Sequence, residues 1–475
     1  MFRAYRMWLL MAVVALVSLG RPSRLPAEER PNFIVVFVDN LGYGDVACFH
    51  PETLNRTPNL DQMAAEGLKL TSFYSTSGVC TPSRASLMTG CYPRRVGMQV
   101  GWQGGVVLFP GDKKGISADE ITIAQVLGDA GYATKIIGKW HLGDQPPFFP
   151  TRHGFDSFFG IPYSDDMTGT ADGRRPPLPL MEDERVIEAP PDRNKLTKRY
   201  TERAIEFIRE HRDRPFFLYL PHAMPGSTRA PFASERFRGR SENGPWGDSV
   251  EELDWSMGEI LAALQRMDLD ERTLVLWTSD NGAPRHAPPG SNLPLKGWGY
   301  TTAEGGQRVP CIVRWPGRIP AGSVSDKLTT TMDLLPTLAY LAGTEPPQDR
   351  VIDGHDIRPL LFGEPDAQSP YEAFFYYYLE QLQAVRAGHW KLYLPLENRW
   401  YNFRRHGRPA EAELYDLKND LQETRNLADA EPEVVERLLA YAERAREELG
   451  DEDRQGTGQR EPGWVEEPQL LRLAD

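Results

Sequence analysis

The sequence predicts an α/β fold: a large, mostly parallel sheet flanked by helices, followed by a smaller C-terminal α+β domain with an antiparallel sheet. Three observations carry that expectation. Strand-like runs alternate with helical patterns through most of the chain, the first run is unbroken apolar and β-branched, and the pattern changes after about residue 360. Alternation of this kind indicates parallel strands covered on both faces. At 475 residues the chain exceeds one ordinary core, so a large unit over residues 31–360 and a smaller one over 361–475 are expected.

The elements follow in order. Arg3 and Arg6 precede an apolar run, residues 7–20, too short for a comfortable membrane span, and Ala27 is a suitable cleavage point. Residues 1–27 thus read as a secretory signal peptide, predicting an exported protein, periplasmic or secreted, without a stable membrane anchor. Residues 32–38 (NFIVVFV) form a strand buried on both faces. Thr57-Pro58 opens a helix that ends at Gly67. Helical patterns over 119–130, 196–210 and 249–267 lead into strands over 133–137, 216–220 and 273–278. Beyond residue 360, runs over 372–379 and 384–394, the latter interrupted near Gly388, predict antiparallel strands. Residues 413–417 add another strand, and 431–449 form a long helix.

Composition excludes several classes. The net charge of −13 argues against a nucleic-acid surface. Four cysteines, Cys48, Cys80, Cys91 and Cys311, are too few for a disulfide scaffold in a chain this long. The 42 glycines and 40 prolines point to long ordered loops over the sheet.

Ligands bind doubly covered sheets beyond the carboxyl ends of the strands. Those ends deliver Asp39 and Asn40, Lys139 and His141, His222, and Asp280 and Asn281. Carboxylate and amide oxygens in two such pairs suit a hard divalent cation such as calcium. The nine histidines do not cluster at zinc-ligand spacing. In the segment CTPSRASLMTG, Thr81 as N-cap, Pro82 and Gly90 predict a helix over 82–89 with Cys80 just outside its positive end. Backbone N–H groups there favour a sulfate or phosphate, and Arg84, one turn in, adds donors to the same oxygens.

Read as C-x-P-S-R-x-x-x-x-T-G, this segment resembles the signature of the type I sulfatases, the formylglycine-dependent family. GKWHLG at residues 138–143 and SDNG at 279–282 are similar to further motifs of that family. HGFDSFFGIPYSDDM at 153–167 resembles the arylsulfatase A branch in particular, and ELYDLKND at 413–420 extends the likeness beyond residue 360. The resemblance implies an alkaline-phosphatase-like fold and a calcium-dependent sulfuric ester hydrolase acting on an aryl or carbohydrate sulfate. It implies that Cys80 is oxidised to formylglycine by a formylglycine-generating enzyme, and that one calcium sits among Asp39, Asn40, Asp280, Asn281 and residue 80. It also puts Arg84, Lys139 and Ser164 on the substrate and makes His141 a base. Where many members have a second aspartate this chain has Asn40, and Gly226 and Gly299 stand where a histidine and a lysine are common. His222, Lys296 and His286 are the candidate substitutes, and restoring the missing side chains, Gly226→His and Gly299→Lys, is expected to raise turnover. Two alternatives stay open on the same scaffold: a phosphate or phosphonate ester hydrolase, and a low-activity protein that binds sulfated glycans.

Overall fold

The computed structural model describes residues 30–169, 175–287, 289–401, 404–406 and 411–473; the signal peptide expected over 1–27 lies outside the described residues. Ten strands form the main sheet: β1 Asn32–Asp39, β2 Leu68–Leu70, β3 Ala133–Lys139, β4 Ser157–Ile161, β5 Leu180–Glu182, β6 Arg185–Glu188, β7 Phe216–Pro225, β8 Thr273–Ser279, β9 Cys311–Arg314 and β10 Ser323–Ser325. Their spatial order is β10-β2-β9-β8-β1-β7-β3-β4-β5-β6. The five central strands, β8-β1-β7-β3-β4, run parallel. Toward the edges β9 and β5 turn antiparallel to their neighbours, so the sheet is mixed, with the expected parallel part at its centre.

Alternation along β1 shows why the strand is apolar throughout. Ile34, Val36 and Val38 belong to one core, and Phe33, Val35 and Phe37 to the other. Residues two apart point to one face, so both faces need apolar side chains. Helices α4 Leu196–Glu210 and α5 Gly244–Arg266 cover the first face through Tyr200, Ala204, Trp246 and Leu253. Helices α3 Ile123–Asp129 and α6 Leu334–Leu341 cover the second through Leu127 and Leu335. Helix α5 begins five residues before the expected start at 249, because Pro245 fits its first turn.

The C-terminal sheet is antiparallel throughout: β11 Phe374–Tyr378, β12 Gln381–Ala387, β13 Trp390–Tyr393 and β14 Glu413–Asp416, in that order. The long helix α7 Pro432–Leu449 packs on it through Leu438, Ala442, Ala445 and Leu449. This third core also takes Tyr74 and Tyr92 from the large unit. Lys391 Nζ, fully buried, donates to Thr302 O (2.9 Å) and Glu304 Oε1 (3.0 Å). The small sheet thereby fixes the segment that follows Gly299. The chain then returns to the large unit, where Gly463–Trp464 pairs with Lys114–Gly115.

Candidate active site

The parallel strands deliver their ends to one place. Asp39 closes β1, Lys139 closes β3, and Asp280 and Asn281 follow β8. Helix α2, Cys80–Thr89, points its N-terminus at them. It starts two residues earlier than the sequence predicts, with Val79 at the N-cap and Cys80 as its first residue. Thr81 does not cap it: its Oγ1 donates to His141 O (3.1 Å) and accepts from Leu108 N (3.1 Å). Ser83 bonds Ser75 Oγ (2.8 Å), which donates to Asp280 O (2.5 Å), so the Pro-Ser-Arg segment ties the helix to the strand ends.

Arg84 lies fully buried beneath this cluster. Its Nη2 donates to Asp39 Oδ1 (2.7 Å) and Asp280 Oδ2 (2.8 Å), and its Nη1 to Lys139 O (3.0 Å). Arg84 thus holds the two carboxylates, and its buried Nε has no partner among the described residues. Lys139 Nζ donates to Asp39 Oδ1 (2.6 Å) and to Ser164 Oγ (3.2 Å). Burial opposes ionisation of Asp39, but the charges of Lys139 and Arg84 outweigh it and hold this carboxyl below the usual range. Burial and the Asp39 charge push Asp280 up to about 7.

Asn40 has a left-handed backbone, φ 60, which asparagine tolerates better than most residues. Its Nδ2 donates to Asp39 Oδ2 (3.2 Å) and Ser227 Oγ (3.0 Å), and Ser227 Oγ is hydrogen-bonded to Tyr300 OH (2.7 Å). Both amide hydrogens are used, so Oδ1 is turned toward Cys80 Sγ (3.8 Å) and accepts from Asn281 Nδ2 (2.6 Å). Ligand atoms of Asp39, Cys80 and Asp280 lie within 4.8 Å of one another. Asn281 Oδ1 is buried without a protein partner. Buried carboxylate and amide oxygens with an orphan acceptor among them fit a hard cation such as calcium.

His141 also has φ 61 and is buried. Its Nε2 meets Leu108 O at 2.9 Å, so that nitrogen carries the hydrogen and the buried, unpartnered Nδ1 keeps a lone pair. Burial, with Lys139 and Arg84, holds the imidazole well below its usual range, so it is neutral. Burial and the Asp280 and Asp39 charges raise the Cys80 thiol. A thiolate nucleophile needs the opposite environment.

The family model named Sulfatase matches residues 31–344. The chain belongs to the sulfatase family. A second model, N-sulphoglucosamine sulphohydrolase, C-terminal, matches residues 300–447. The chain is 38% identical to arylsulfatase A of Homo sapiens over 474 residues, covering 90% of this chain and 89% of that protein. It is 40% identical to N-acetylgalactosamine-6-sulfatase of Canis lupus familiaris over 416 residues, covering 84% and 77%. A solved sulfatase from Pseudoalteromonas sp. superposes with a TM-score of 0.78 at 27% identity, covering 88% of this chain and 91% of that one. The protein is a sulfuric ester hydrolase with an alkaline-phosphatase-like fold.

In this sulfatase the fold brings together Asp39, Asn40, Cys80, Arg84, Lys139, His141, Ser164, Asp280 and Asn281. Two expected residues are elsewhere. Lys296 Nζ donates to Glu423 O (2.9 Å) and stands 4.7 Å over the Tyr415 ring, so it serves the C-terminal sheet. His222 faces the helical layer, with Nε2 3.4 Å from Ser256 Oγ and its ring 6.1 Å from that of Tyr200. His286 borders the site, meeting Ser227 O (3.1 Å) and stacking on Tyr300.

The glycine departures are also corrected. A β-carbon on Gly299 would lie 2.2 Å from Gly282 O, and Gly226 has φ 75. Restoring a lysine at 299 is therefore expected to disrupt the loop rather than to raise turnover, and Gly226→His meets backbone strain. Sequence reading missed Ser227, Tyr300 and Asp165, which complete the site walls. The first two directly follow the glycines, and no local pattern sets them apart from ordinary loop residues.

His222 supplies a stability prediction. Burial pushes its imidazole down to about 3, whereas an unfolded histidine titrates near about 6.5. The unfolded chain binds the extra proton between those values, so stability falls as pH drops through that window. The cost reaches at most about 3 kcal/mol at pH ~4.5. His222→Gln is expected to lose less Tm than the parent between pH ~7 and ~4.5; equal losses would remove His222 from the account.

Proposed function

We propose that the protein is a calcium-dependent sulfatase that uses formylglycine made from Cys80 to release sulfate from an aryl or carbohydrate sulfate. The observation that carries this reading is Cys80 as the first residue of α2, 3.8 Å from Asn40 Oδ1 and grouped with Asp39 and Asp280. As a thiol, Cys80 Sγ marks the position of the aldehyde carbon's substituents. Formylglycine at residue 80, as its hydrate, would supply the chemistry: one hydroxyl to displace the alcohol from sulfur as the ester S–O bond breaks and the alcohol leaves with a proton, and a second whose deprotonation would release sulfate and regenerate the aldehyde. Asp39, Asn40, Asp280 and Asn281 would hold the calcium, whose positive charge would favour the attacking oxygen and the sulfate oxygens.

The chain's own groups do the rest. Arg84 keeps Asp39 and Asp280 facing the cation. Lys139 holds a sulfate oxygen through Nζ where negative charge grows, and Ser164 orients the same group from 3.2 Å. His141, neutral and fixed by its bond to Leu108 O, takes the proton at Nδ1 when sulfate leaves. The N-terminal N–H groups of α2 favour the anion. Conversion of Cys80 fits an exported chain; no helix among the described residues is long and apolar enough to cross a membrane.

The test is hydrolysis of 4-nitrophenyl sulfate by protein produced with a formylglycine-generating enzyme, before and after chelation of calcium. Chelation is expected to stop turnover and lower Tm, and added calcium to restore both. Activity that survives chelation would sink the oxygen-site reading. Asn40→Asp is expected to tighten calcium binding about tenfold, because the added carboxylate raises the ligand charge. A calcium titration followed by calorimetry checks it, and unchanged affinity would show that Asn40 is not a ligand.

A further inference from the structure

Asp165 follows Ser164, is 1% exposed, and keeps Oδ1 without any hydrogen-bond partner. Its other oxygen is held: Arg193 Nη1 meets Oδ2 at 3.4 Å and donates to Asp165 O at 3.0 Å. The free oxygen packs beside Gly226: a β-carbon built there would lie 3.2 Å from Asp165 Oδ1 and 3.8 Å from Asp39 Oδ2, so this carboxyl adjoins the catalytic cluster. Arg193 also lies 4.0 Å over the ring of Phe232. Two loops that flank the site, one before α4 and one after β7, therefore meet at this carboxyl.

We propose that Asp165 determines specificity for the alcohol part of the substrate, accepting a hydrogen bond from a hydroxyl or amino group near the sulfate ester and so favouring carbohydrate sulfates over simple aryl sulfates. The inference rests on the reading that the ester is bound beside Lys139 and Ser164. A buried acceptor left unmade is costly, whereas a substrate hydroxyl that satisfies it gains a hydrogen bond. A plain aryl ring offers no such donor and leaves Oδ1 unpaired. Sites built to bond a substrate hydroxyl discriminate strongly against analogues that lack it.

The experiment compares kcat/KM on N-acetylglucosamine 6-sulfate, galactose 6-sulfate and 4-nitrophenyl sulfate for the parent, Asp165→Ala and Asp165→Asn, all carrying formylglycine. The sugar-to-aryl ratio is expected to fall about a hundred-fold in Asp165→Ala and about tenfold in Asp165→Asn, whose amide oxygen still accepts. A purely structural role would lower both substrates alike and leave the ratio unchanged, which would overturn the proposal. Should Asp165→Ala not fold, the ratio in Asp165→Asn decides alone. A parent that cleaves 4-nitrophenyl sulfate but neither sugar sulfate overturns the specificity role while leaving the sulfatase reading intact. A parent that cleaves none of the three overturns both.

Discussion

Cys80→Ala, produced alongside a formylglycine-generating enzyme, is expected to release sulfate at least about 10⁴-fold more slowly than the parent. Loss of a covalent nucleophile is among the largest single effects in catalysis, because the neighbouring groups cannot act on their own. Here Cys80 Sγ stands 3.8 Å from Asn40 Oδ1 and is grouped with Asp39 and Asp280, and Lys139 joins Asp39 to Ser164 in the same cluster. The fold should survive: Cys80 is a small member of a large core, and trading its sulfur for a methyl-sized side chain costs about 1 kcal/mol. Sulfate release and Tm measured on the same preparation separate the two effects. A variant that retains about a hundredth of parental turnover or more contradicts a nucleophile at this position.

Arg84→Ala is expected to lose about 3–5 kcal/mol of stability in the absence of calcium. The guanidinium is fully buried and bridges Asp39 and Asp280, so its removal leaves two buried carboxylates with Lys139 as their one neighbouring cation in the bonded cluster. Added calcium should restore part of the loss, since calcium bound at the proposed site would neutralise the same pair. Arg84→Lys should fall between, because one ammonium cannot reproduce contacts to two carboxylates and to Lys139 O. Urea melts with chelator and with calcium check this. Equal stability of Arg84→Ala and parent in chelator would contradict the role of Arg84 as the clamp of the metal carboxylates.

Much of the fold was legible because burial on two faces leaves a direct mark. The run at 32–38 could only be a covered strand, and the helices at 196–210 and 432–449 carry clear 3.6-residue periodicity. The short strands toward the sheet edges left no such mark. Leu68–Leu70, Leu180–Glu182 and Ser323–Ser325 have three residues each, too few for a pattern to stand out from a loop. In the site, strand ends located Asp39, Lys139 and Asp280, since topology alone brings them together. Direction of side chains was not legible. His222 lies on the right strand, yet it points to Ser256 and the helical layer, and Lys296 lies near the right loop but reaches across to Glu423. Asp165, Ser227 and Tyr300 matter through contacts from distant segments, which no local window contains.

The central claim is that residue 80 works as formylglycine. The most direct measurement is mass spectrometry of the peptide carrying residue 80, paired with sulfate release from the same samples, across preparations with graded amounts of the formylglycine-generating enzyme. The account predicts a peptide in which sulfur and two hydrogens are replaced by oxygen, and a turnover rate proportional to its fraction. Full turnover from protein whose Cys80 remains a thiol would contradict it.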